Sequence, residues 1–140
     1  MNIAEKTETI IKEFTSFEDW MDRYNLLIEM GKSCPVLSDQ EKNDNFLIKG
    51  CQSRVWIKAE KKNGLIYFKA DSDAVITKGI VAVLLYVFSG EKAEVIVNAP
   101  IDFLDTIGLK EHLSPTRSNG LNAMLKQIKL YALALSLQKS

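Results

Sequence analysis

From Ala74 to Phe88 the chain reads Ala-Val-Ile-Thr-Lys-Gly-Ile-Val-Ala-Val-Leu-Leu-Tyr-Val-Phe, with Lys78 as its one charged residue. A stretch that is apolar on nearly every side must be covered on nearly every side. Its β-branched residues suit a strand, but its length and its start signals favour a helix. Ser72 is the expected N-cap, Asp73 places negative charge where the helix dipole favours it, and Gly90 stops the element. The remainder of the chain then has to wrap around this central helix.

The flanking segments read as its cover. Ile3 to Phe14 has apolar residues at helical spacing. Ser16, with Asp19 three residues on, resembles a capping box for a second helix. Phe17, Trp20, Met21, Tyr24, Leu27 and Ile28 form that helix's apolar stripe, read as core packing, and Gly31 is the expected C′ residue. Lys32 to Lys49 is a long polar connection, and Phe46 to Gly50 is either a third strand or a loop. Ser53 to Ala59 alternates, with Val55, Ile57 and Ala59 on one face and Arg54, Trp56 and Lys58 on the other. Asn63-Gly64 marks a tight hairpin turn into a partner strand, Leu65 to Ala70. Two short helices are expected over Lys92 to Asn98 and Ile101 to Ile107. A polar loop from Ser114 to Gly120 then precedes a last helix, Leu121 to Leu137. The order is helices, a hairpin, then helices. That is an α+β fold, a small antiparallel sheet packed against several helices.

The 140 residues are 46% hydrophobic, enough for one domain, residues 1–140, with its own core. Lys plus Arg and Asp plus Glu both number 18, so the basic excess expected of a nucleic-acid binder is missing. No apolar run reaches membrane-spanning length, and the polar amino end is unlike a secretory signal. Cys34 and Cys51 therefore read as reduced thiols of a cytoplasmic protein.

Cys51 follows Gly50 at the mouth of the first strand, within Lys49-Gly50-Cys51-Gln52-Ser53-Arg54. Two readings compete. A free cysteine is commonly a small buried hydrophobe. A thiol on a loop backed by a strand is also a nucleophile on a rigid mount, and Lys49 and Arg54 beside it favour the reactive thiolate if they approach it in space. Cys34, Cys51 and His112 have no recognised metal-ligand spacing. His112 as a base for Cys51 would make a Cys–His hydrolase, but the spacing does not bring them together. Arg117 is either a solvated charge or a bidentate guanidinium offered to a partner's carboxylate.

Several blocks resemble the SufE family, in order. Trp20-Met21-Asp22-Arg23-Tyr24 with Leu27-Ile28-Glu29-Met30-Gly31 is similar to its first helix. Lys49-Gly50-Cys51-Gln52-Ser53-Arg54-Val55-Trp56 is similar to its sulfur-accepting loop and strand. Asp71-Ser72-Asp73-Ala74 with Lys78-Gly79 resembles the start of its central helix, and His112 through Gly120 the entry to its last. The resemblance implies an α+β fold shared with IscU scaffold proteins and a loop that can tuck its cysteine into an apolar pocket. It implies sulfur transfer beside a pyridoxal-phosphate cysteine desulfurase, of the SufS kind, rather than free-standing catalysis. Cys51 would be the acceptor. Gly50, Gln52, Asp73 and Arg117 would lie at the partner surface, and a SufBCD-like iron–sulfur scaffold would receive the sulfur. No cofactor or metal is expected on this chain. An IscU-like cluster scaffold is the alternative, opposed by the want of further ligands around one loop cysteine. Cys34 is not a family requirement and reads as a packed core residue or a second, resolving thiol.

Overall fold

A computed structural model describes residues 2–48, 53–109 and 115–137. Among these, six α-helices surround one two-stranded antiparallel sheet, so the architecture is α+β as the sequence order predicts. The helices are α1 (Ile3–Thr15), α2 (Trp20–Lys32), α3 (Val75–Phe88), α4 (Ala93–Asn98), α5 (Phe103–Thr106) and α6 (Pro115–Ser136). The strands are β1 (Val55–Lys62) and β2 (Leu65–Ser72), and a 3-10 turn spans Asp39–Glu41.

The hairpin turns at Asn63 and Gly64, whose φ values of 52° and 80° are those that Asn-Gly tolerates in a tight turn. The register places Ile57 opposite Ala70 and Ala59 opposite Phe68. Val55, Ile57, Ile66, Phe68 and Ala70 are all buried. They pack beneath α3, which is buried from Ile80 through Leu85 without interruption. The apolar run at Ala74–Phe88 is thus the central helix, with α2, α1 and the hairpin around it.

Several local expectations are corrected. Ser16 ends α1, with its hydroxyl donating to the Glu13 carbonyl, and Asp19 caps α2 by accepting the Met21 N–H at 2.9 Å. Gly31 does not stop α2. It is buried inside the helix, where a Cβ would lie 3.1 Å from the Gly79 nitrogen of α3. The two glycines let α2 and α3 cross with their backbones almost touching. Ser72 is not the cap of α3 because pairing with Val55 claims it for β2, and α3 starts after Ala74. The polar stretch from Pro115 to Gly120 is helical. A proline suits the first turn of a helix, where its missing N–H has no intrahelical partner to lose.

Candidate functional site

The connection after α2 runs back along the hairpin and sets up the approach to residue 51. Its 3-10 turn is closed by Ser38 and Glu41 in a capping box. Lys58 of β1 reaches Glu41 at 2.7 Å, and Lys42 reaches Asp71 of β2 at 2.7 Å. From there the chain pairs along the free edge of β1. Ile57 N–H donates to the Phe46 carbonyl at 2.9 Å, and Ile48 N–H donates to the Val55 carbonyl at 2.7 Å. Leu47 and Trp56 face each other as an isolated bridge. Of the segment from Phe46 to Gly50 expected to be either strand or loop, the described part, Phe46 to Ile48, makes a single bridge, a strand only in miniature. Ile48 is buried at its end.

The other side of the loop is held by Asp71-Ser72-Asp73. The Asp73 carboxylate accepts the Arg54 N–H at 3.0 Å. The Ser72 hydroxyl donates to the Arg54 carbonyl at 2.8 Å, and Asp73 N–H donates to that same carbonyl at 3.2 Å. Arg54 is thereby fixed through its backbone while its residue stays exposed. Asp71, only 7% exposed, accepts from Ser72 N–H at 2.8 Å and meets Lys78 at 3.4 Å as well as Lys42. Burial pushes its carboxyl up, but the Lys42 hydrogen bond, the Ser72 N–H and the Lys78 charge outweigh this and hold it below the usual value.

The chain is thus anchored on both sides of Cys51, although Lys49, Gly50, Cys51 and Gln52 themselves lie outside the described residues, as does His112. Arg117 sits in the first turn of α6, not in a loop, and its side chain is outside the description. Asp73 is exposed and stands beside the loop's outgoing arm. Cys34 is free and buried, its Sγ 3.9 Å from the Ala70 carbonyl. Among the described residues no three His, Cys, Asp or Glu side chains are grouped to hold a metal. No helix there is long and apolar enough to cross a membrane. The sequence reading missed Lys42, Glu41 and Asp71. The acidic-basic alternation of Asp39-Gln40-Glu41-Lys42 was the available signal, but nothing local says which strand residues those charges meet.

Fold and site together define a small α+β protein in which the chain is anchored at Ile48 and at Arg54, on either side of Cys51 in sequence. The family model for the SufE domain, associated with iron–sulfur metabolism, matches residues 8–132. The chain belongs to the SufE family. An uncharacterized SufE-like protein of Rhizobium meliloti (strain 1021) is 37% identical over 127 residues, covering 87% of this chain and 91% of that one. Another, from Rhizobium etli, is 38% identical over 127 residues, covering 87% and 86%. A solution structure of a hypothetical protein from Thermus thermophilus shares the fold. Its TM-score is 0.78 at 21% identity, with 96% of this chain and 97% of that chain covered.

Proposed function

We propose that the chain, as one SufE-like domain acting in the cytoplasm, accepts sulfur on Cys51 from a pyridoxal-phosphate cysteine desulfurase. It then passes that sulfur to an iron–sulfur cluster scaffold of the SufBCD kind. The observation that carries this is the mount. In a SufE-family chain, the arms on either side of Cys51 are fastened by Ile48 to Val55 and by Arg54 to Ser72 and Asp73. A nucleophile on a loop gains from such anchoring, because the reacting atom is then offered from a defined place.

The Cys51 thiolate attacks the outer sulfur of the desulfurase persulfide. A new S–S bond forms at Cys51, the donor's S–S bond breaks, and the electron pair leaves on the donor's own cysteine sulfur as a thiolate. The product is Cys51–S–SH, with no net oxidation. The rate follows thiolate fraction, nucleophilicity and access, as in thiol–disulfide exchange. Gly50, Gln52, Asp73 and Arg117 make up the docking face in this reading. Leu47, Ile48, Ala123 and Leu130, together with the polar Asp44, Asn45, Lys126 and Gln127, border a hollow of about 480 Å³ next to the incoming arm, toward which the loop is taken to withdraw when no partner is bound.

The test is intact-mass analysis after incubation with a cysteine desulfurase and cysteine. The wild type should gain one sulfur that reductant removes, and Cys51→Ser should gain none. Sulfur uptake by Cys51→Ser equal to that of the wild type would remove Cys51 from the role.

A further inference from the structure

We propose that the connection from Ser38 to Leu47 is a strap that lifts off the hairpin as one unit, hinged at Leu37 and Ile48, while the sheet beneath it stays paired. Its two ends are set in the core, where Leu37 and Ile48 are buried. Between them Ser38, Asp39, Gln40, Asn43, Asp44 and Asn45 are exposed, so the stretch hides little apolar surface that would hold it down.

Charge holds it instead, through two clasps of opposite polarity. Glu41 and Lys42 are neighbours on the strap. Glu41 meets Lys58 of β1 at 2.7 Å, and Lys42 meets Asp71 of β2 at 2.7 Å. Both strand residues lie on the hairpin face turned away from α3, Asp71 opposite Trp56 and Lys58 two residues further along β1. Lys58 also stands opposite Lys69, a like-charge pair that costs stability on a bare sheet, and its Nζ lies 5.6 Å from the centre of the Phe46 ring. The strap therefore supplies the charges and the ring that the sheet's outer face needs. The side chains of Lys42, Lys58 and Glu41 remain 29%, 27% and 24% exposed, so water can take over from either clasp at less cost than in a sealed pair. Among the described residues one backbone bond joins the strap between its hinges to the sheet, from the Ile57 N–H to the Phe46 carbonyl at 2.9 Å.

That bond gives the lift a signature. Along a strand, neighbouring N–H groups point to opposite edges. The Ile57 N–H faces the strap, and those of Trp56 and Lys58 face β2. Detachment of the strap frees the first and leaves the other two bonded. The experiment is residue-resolved amide hydrogen exchange by NMR, corrected for intrinsic rates, on the wild type, Glu41→Gln, Lys42→Met and the double variant. In the wild type Ile57 should already exchange faster than Trp56 and Lys58. It should quicken by about threefold or more in each single variant and further in the double, while Trp56, Lys58 and the hinge amide of Ile48 keep their rates. An Ile57 rate unchanged in the double variant, or Trp56 and Lys58 quickening in the same proportion, overturns the proposal. Sulfur uptake plays no part in this readout, so failure of the acceptor reading leaves it intact.

Discussion

Cys34 packs with its Sγ 3.8 Å from the Pro35 carbonyl and 3.9 Å from that of Ala70. Burial pushes the thiol from 9.0 up to about 11, against the pull of the Lys78 charge and with some help from Asp71. A protonated, covered thiol is a poor nucleophile, so Cys34 has the chemistry of a core residue and not of a second acceptor. The folded chain holds a proton that the unfolded chain releases between those two values. This thiol's contribution to stability is therefore complete below pH 9 and is lost as pH rises toward 11. At pH 8, iodoacetamide should leave Cys34 unmodified in the native protein and modify it readily in denaturant. Native labelling of Cys34 as fast as that of a free thiol would contradict this burial. The packed-core reading of Cys34 is borne out, but the residue that covers it was not legible, because Ala70 lies 36 positions away.

Between elements, the crossing of α2 over α3 is the contact least tolerant of change. A Cβ on Gly79 would stand inside the Leu27 carbonyl and 2.9 Å from the Leu27 Cβ, so both helices would have to separate. At Gly31 the clash is milder, 3.1 Å from the Gly79 nitrogen. Gly79→Ala should therefore lose about 2–3 kcal/mol in urea denaturation even though alanine favours helices, and Gly31→Ala should lose less. Equal stability of Gly79→Ala and the wild type would mean that the helices are not so close. Helix and strand periods made α1, α2, the hairpin, α3 and most of α6 readable in advance. The ends were harder. Ser16 and Asp19 are both good caps, and only the geometry of the turn shows that Asp19 reaches the Met21 N–H. Gly31 looked like a stop because its real reason, Gly79, belongs to another helix. Pro115 to Gly120 looked like a loop because its residues are polar, yet apolar Leu121 and Met124 carry the same helix into the core.

For the molecule as a whole, a two-stranded sheet with one buried face is marginal alone, and here the long connection braces its other side and edge. Asp71 shows why this was not read from the sequence. Its parity in β2 is that of Tyr67 and Lys69, which are exposed, and only the returning chain buries it. Because the Asp71 carboxyl is held below the usual range, its stabilising effect is fully present above the unfolded value near 3.9 and is lost as pH falls through the folded value. Asp71→Asn should cost about 2 kcal/mol at pH 7 and make the acid limb of a stability-against-pH curve shallower. An acid limb identical to the wild type's would mean that the pair does not brace the connection. The fastening of Ile48 to Val55 and of Arg54 to Asp73 also sets a leash length. Only residues 49–53 lie between these fixed points. At roughly 3.5 Å per residue, out and back, the middle of that span travels no more than about 10 Å from its moorings. If Cys51 carries sulfur as proposed above, so short a leash would not let it swing between distant stations, and a donor or recipient would have to bring its own reacting group to this rim.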